Sequence, residues 1–138
     1  MMSGCPGGKV GIHLIRVLLV DDDLDLLAPL AESLRPRFEV VEAGSYGRAL
    51  QFLHRGGFDA IVADLGMGGL LSGLDLLEEA RTRTPRVARV LISGLPRGPR
   101  LEVALSSGLA QAFFSKPWPD GAIDAAIEAL VASVASAG

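Results

Sequence analysis

The sequence predicts a single α/β domain whose core is a five-stranded parallel sheet with helices packed on both faces. Three observations carry this. Short β-rich runs alternate with segments of helical periodicity from residue 16 to the C-terminus, and such alternation makes each strand-to-strand connection a crossover. The runs VLLV (17–20) and IVAD (61–64) show little polar alternation, as expected of strands covered on both sides. At 138 residues, 49% hydrophobic and 21% charged, the chain can fill one core, and a domain of this size is typically ~100–150 residues.

Residues 1–14, MMSGCPGGKVGIHL, hold four glycines and Pro6 and read as a flexible leader, leaving residues 15–138 as the domain. The first strand is expected over Arg16–Asp21. Leu26/Leu27, Leu30/Ala31 and Leu34 then recur at helical intervals. Asp23 suits the N-cap of that helix, and Pro29, in its second turn, removes one backbone hydrogen bond and bends the axis. The second strand is Phe38–Ala43. Ser45 caps the second helix, Tyr46, Ala49/Leu50 and Leu53 form its apolar stripe, and Gly56–Gly57 stop it. The third strand is Ala60–Asp64, followed by a stripe of Leu74, Leu77 and Ala80 that Pro85 terminates. The fourth strand, Val87–Ser93, precedes a helix marked by Leu101 and Ala104/Leu105. The fifth strand, Ala112–Lys116, precedes a last helix carrying Ile123, Ala126/Ile127, Leu130 and Val134.

Composition excludes several classes. The net charge is −3 and the arginines are scattered, whereas surfaces that bind nucleic acid directly are usually basic. The single cysteine, Cys5, cannot form an internal disulfide, and no zinc-ligand spacing occurs. No segment reaches the ~18 apolar residues that span a bilayer. The run from Ile12 to Val20 is broken by His13 and Arg16, unlike a secretory signal. A cytosolic setting without membrane contact is the expectation. Nucleotide fingerprints are also missing: the glycine-rich segment from Gly66 has Leu71 where G-x-G-x-x-G needs its last glycine, and there is no G-x-x-x-x-G-K-[ST].

Function is written in where the polar residues fall. Asp21 and Asp22 close the first strand, Asp64 the third, Ser93 the fourth and Lys116 the fifth, while the second ends in Ala43–Gly44. Open parallel sheets bind ligands outside the carboxyl ends of their strands, where the strand order reverses. With the order 2-1-3-4-5, strands one and three flank that point and the silent strand is an edge. Each residue alone has a simpler reading: Asp21/Asp22 as a solvated strand end, Asp64 as a turn opener, Ser93–Gly94 and Lys116–Pro117 as loop dipeptides. Their joint order and placement favour one shared crevice. Adjacent carboxylates repel, and a bound cation removes that repulsion.

The motifs VLLVDDD, FDAIVADLGM followed by SGLDLL, VLISG and AFFSKPW resemble the receiver domain of two-component response regulators, whose fold is flavodoxin-like, as in single-domain chemotaxis regulators. The resemblance covers Arg16 to about Val134. It implies that Asp64 accepts a phosphoryl group from a histidine kinase or histidine phosphotransfer protein. It implies a Mg²⁺ ion held by Asp21, Asp22, Asp64 and the Gly66 backbone carbonyl, a set of hard oxygen donors. Lys116 and Ser93 would hold phosphoryl oxygens, and the Lys116–Pro117 bond would be cis. Ser93 and Phe113 would form the switch, and the fourth helix, fifth strand and fifth helix the output surface, open also to homodimerisation. Such a domain promotes only its own phosphorylation and dephosphorylation and is not otherwise an enzyme.

The chain departs from the family at two places. Gly68 stands where the family usually has proline, and the 64–73 loop is one residue longer, which loosens the segment beside the nucleophile. Gly66 and Leu95 occupy the two positions that tune phosphoryl loss, and neither can orient water, so a long-lived phosphoryl group is expected. Two other classes remain open. One is a pseudo-receiver, a protein-binding module that never takes phosphate. The other is a haloacid-dehalogenase-like phosphatase, which needs a second aspartate where this chain has Gly66. No output domain is recognisable, so DNA binding or coupled catalysis within this chain is not expected. Asp120, Asp124 and Glu128 form an acidic stripe on the last helix, read as a solvated face or partner surface.

Overall fold

A computed structural model describes residues 14–66, 73–94 and 98–137, the last three of these as backbone only. Among the described residues ten elements alternate: β1 (Arg16–Val20), α1 (Leu24–Leu34), β2 (Glu39–Ala43), α2 (Tyr46–Arg55), β3 (Ala60–Asp64), α3 (Gly73–Arg83), β4 (Ala88–Ser93), α4 (Pro99–Ser106), β5 (Ala112–Ser115) and α5 (Ala122–Ala137). The strands form one sheet in the order β2-β1-β3-β4-β5, every pair parallel. Val17 lies opposite both Val40 and Ala60, Val62 opposite Val90, and Val90 opposite Ala112. The predicted architecture and strand order are those observed.

Because successive strand side chains point to opposite faces, the five strands feed two separate cores. Leu18, Val20, Ile61, Ala63 and Leu91 pack with Ala49, Leu53, Leu77, Leu101 and Ala104 under α2, α3 and α4. Val17, Leu19, Val62, Val90 and Ile92 pack with Leu27, Leu30, Leu34, Ile123 and Ile127 under α1 and α5. Both faces of the central strands are dry, which explains their unbroken apolar runs. Each fully buried leucine or isoleucine contributes about 1.5–3 kcal/mol relative to exposure. On α3 the buried face is wider than the stripe read from spacing: Leu76 is buried beside Leu74, Leu77 and Ala80.

Local chemistry sets the helix ends. The Asp23 side chain accepts the Asp25 N–H at 3.0 Å, and α1 continues through Pro29. The Ser45 hydroxyl accepts the Arg48 N–H at 3.2 Å. After α2 the chain turns on Gly56 and Gly57 at φ 75° and 89°, a region closed to most side chains. Strands β1 and β5 end one residue before the expected limits, so Asp21 and Lys116 stand just beyond them. The ladder still reaches them: Asp21 N–H donates to Ala43 O at 3.2 Å and Lys116 N–H to Ser93 O at 2.9 Å. Phe38 and Val87, expected to open β2 and β4, lie one residue before those strands. Of the acidic stripe expected on the last helix, Asp120 lies two residues before α5, whereas Asp124 and Glu128 fall on it and Glu128 pairs with Arg37 at 3.1 Å.

An arginine is buried in the fourth strand. Arg89 of β4 is only 5% exposed. Its guanidinium donates to four backbone carbonyls: Leu109 at 2.8 Å, Val87 at 2.9 Å, Gly108 at 3.1 Å and Pro85 at 3.3 Å. Burial, and secondarily the charge of Arg81, lower its pKa. Arg89 thereby ties the turn after α3 to the chain leaving α4. Among the described residues no helix is long and apolar enough to cross a membrane.

Candidate functional site

The parallel sheet delivers its polar residues to one edge. Asp64 is the last residue of β3 and 5% exposed, and Asp21 follows β1 at 1%. Neighbouring strands lie ~4.8 Å apart, so these two side chains meet above the β1–β3 seam. Asp22, next in the chain, is exposed. Even so, one carboxylate oxygen from each of Asp21, Asp22 and Asp64 falls within 4.8 Å of the others. Ser93 ends β4 and is fully buried. Lys116 reaches over from the end of β5, its Nζ 3.2 Å from Asp64 Oδ1 and 3.3 Å from Asp21 Oδ2.

Backbone contacts hold the pocket. Asp21 Oδ1 accepts the Asp23 N–H at 2.9 Å, so one carboxylate serves both the α1 entrance and Lys116. Leu65 N–H donates to Ile92 O at 2.8 Å, fixing the peptide after Asp64 against β4. The Lys116–Pro117 bond is cis. Phe113 of β5 is half-buried and packs against the core beneath α2, α3 and α4. Gly66 is exposed. Gly68, Leu71 and Leu95, and with them most of the lengthened loop, lie outside the described residues, as do positions 1–13 of the expected leader.

The electrostatics are those of a pocket with too much negative charge. Three carboxylates against one ammonium leave a formal excess of two negative charges. Burial raises the pKa of Asp64 above the ordinary carboxylate value. The Asp21 charge raises it further, Lys116 opposes both, and Asp22 adds a smaller upward push. For Lys116 the largest single influence is burial, which lowers its pKa. The pull of Asp64 and Asp21 together exceeds it, and the ammonium is held above its usual value. Clustered oxygen donors with surplus negative charge suit a hard divalent cation, and Asp21, Asp22 and Asp64 are placed to hold one.

One residue of this region was not singled out from the sequence. Gly73, the first residue of α3, lies so near β3 that a Cβ there would sit 2.8 Å from the Asp64 carbonyl carbon. The only signal was a glycine opening a helix within SGLDLL.

Residues 17–128 match the response regulator receiver domain family. The chain belongs to that family. The hydrogenase transcriptional regulatory protein HoxA of Cupriavidus necator is 32% identical over 117 residues, 84% of this chain and 24% of the relative. A response regulator receiver protein of Anaeromyxobacter sp. is 35% identical over 95 residues, 68% of this chain and 40% of the relative. The chain therefore spans well under half the length of either. Among solved structures, a CheY-like receiver domain from Methanospirillum hungatei superposes with a TM-score of 0.83 at 24% identity, covering 91% of this chain and all of that one. That likeness bears on the fold. This receiver domain thus carries an acidic pocket able to bind a metal ion, in a family of typically non-enzymatic signalling modules that work with a two-component partner.

Proposed function

We propose that this receiver domain accepts a phosphoryl group on Asp64 from a histidine kinase or histidine phosphotransfer protein. The observation that supports it most is the Lys116 ammonium between Asp64 and Asp21, 3.2 and 3.3 Å away, beside a third carboxylate. In the reaction an Asp64 oxygen attacks phosphorus, the P–N bond to the donor imidazole breaks, and an acyl phosphate forms. Positioning and charge neutralisation supply most of the catalysis in such transfers. A magnesium ion held by Asp21, Asp22, Asp64 and the Gly66 carbonyl would offset the negative charge that gathers there. Lys116, released from Asp64 as the carboxylate is consumed, turns its N–H groups to a phosphoryl oxygen. The Ser93 hydroxyl donates to another.

Signalling on this reading runs from Ser93 to Phe113. Ser93 drawn toward the phosphoryl group moves the end of β4, and the half-buried Phe113 ring turns inward, altering the α4–β5–α5 surface through which a target or a second copy binds. The shift needs contacts that differ between the two states. The cytosol is the matching compartment, since that is where a kinase would meet it.

Acetyl phosphate with Mg²⁺, followed by intact mass, tests this directly. The wild-type chain gains one phosphoryl group and Asp64→Asn gains none. A labelled Asp64→Asn protein would place the nucleophile elsewhere, and a folded wild type that never labels would leave a protein-binding module. Decay of the labelled protein should be slow, because Gly66 and Leu95 offer no side chain to orient water; loss within seconds contradicts that part.

A further inference from the structure

We propose that Gly73 is a positioning residue for Asp64, its missing side chain setting where the carboxylate and the Gly66 carbonyl stand. The inference rests on the reading of Asp64 as phosphoacceptor, although its geometric part is independent of it.

A Cβ on residue 73 would come within 2.8 Å of the Asp64 carbonyl carbon and 3.3 Å of Leu65 Cα, and nearer still to the Asp64 carbonyl oxygen. These atoms are backbone, so no side chain can swing aside. Glycine is required here for space and not for its dihedral range, because Gly73 is not among the glycines of positive φ. Neither partner can retreat. Asp64 lies opposite Ile92 in the sheet, with the Leu65 N–H bonded to Ile92 O at 2.8 Å. On the other side, α3 is anchored by Leu74, Leu76, Leu77 and Ala80, all buried.

A methyl group at residue 73 must therefore displace the Asp64–Leu65 peptide. That peptide carries the carboxylate 3.2 Å from Lys116 Nζ at one end and leads to the Gly66 carbonyl at the other. One added carbon disturbs the nucleophile and a proposed metal ligand together. No residue that merely stabilises α3 has this leverage, which gives the proposal a clean control: Ala80→Gly weakens the same helix by a propensity loss at a turn away from Asp64.

The experiment follows phosphorylation by acetyl phosphate, Mg²⁺ binding through Trp118 fluorescence, and hydrogen exchange at the Leu65 amide. Gly73→Ala is expected to slow phosphorylation at least tenfold, to weaken Mg²⁺ binding severalfold and to expose the Leu65 amide. Ala80→Gly, at a temperature where both variants are folded, should stay within twofold of wild type on all three. Wild-type rate and wild-type Leu65 protection in Gly73→Ala would overturn the proposal, as would equal losses in the two variants. If Gly73→Ala does not fold, the wild type decides: a nuclear Overhauser contact between the Gly73 and Leu65 α-protons supports the close approach, and its absence refutes it. A wild type that takes no phosphate sinks the phosphoacceptor reading alone, and the Leu65 amide still reports on Gly73.

Discussion

The Lys116 ammonium lies 3.2 Å from Asp64 and 3.3 Å from Asp21, so a single cation is shared between carboxylates on two adjacent strands. Neither pair is private. Changing any of the three therefore alters the charge felt by the other two, and several expected outcomes rest on that sharing.

Magnesium should stabilise the fold. A ligand bound only by the native state raises stability by about 2.7 kcal/mol at a hundredfold excess over its Kd. The wild-type melting midpoint should climb with Mg²⁺ in a thermal titration. Asp22→Ala should bind Mg²⁺ at least tenfold more weakly, and its metal-free midpoint should sit slightly higher than wild type, since a repelling carboxylate is gone.

The raised pKa of Asp64 fixes the sign of its pH dependence. The native state holds this proton above the ordinary value of 3.8, where the unfolded chain has begun to lose it. The stability it contributes is full below 3.8 and is lost as pH rises through the folded pKa. Lys116 works at the other extreme: its contribution is full below 10.5 and disappears as pH rises through its own raised value. Urea melts across pH should show Asp64→Asn more stable than wild type at neutrality, the gap narrowing on acidification. Lys116→Met should remove the alkaline loss and push Asp64 higher still.

Arg89→Met should destabilise the domain by about 3 kcal/mol, because it takes the guanidinium donor from the buried Leu109 and Val87 carbonyls, at roughly 1–3 kcal/mol each. Arg89→Lys should recover little, since one ammonium cannot reproduce a fork that reaches Leu109, Val87, Gly108 and Pro85. Chemical denaturation measures both. Phosphorylation, at the opposite end of β4, should change by less than twofold in the folded fraction.

Ser45→Ala removes the side-chain cap of α2 and should cost about 1 kcal/mol. Ser45→Asp should hold wild-type stability, and neither should alter Mg²⁺ affinity.

Periodicity made the elements legible because each has one dominant task. The strands are apolar on both faces, and the helices carry a stripe, so alternation alone fixed the architecture. The residues of the pocket were legible because a parallel sheet gathers its carboxyl-terminal ends at one edge, which turns position in the sequence into position in space. What could not be read depends on distance across the fold. Gly73 is required by how closely α3 approaches β3, which no local pattern encodes. Arg89 was one of the scattered arginines, since nothing in a run such as ARVLIS says which carbonyls will surround a guanidinium. Adjacent Asp21 and Asp22 were likewise indistinguishable in sequence, yet one is sealed inside and the other faces water.

The sheet is also a partition. The oily volume beneath α2, α3 and α4 does not communicate with the one beneath α1 and α5. Damage on one side is thus insulated from the other: Leu53→Ala and Leu34→Ala should sum when combined, whereas Leu34→Ala with Ile127→Ala, which share a compartment, should not. The domain behaves as two packed cores with a common wall, and a substitution in one leaves the other's packing in place.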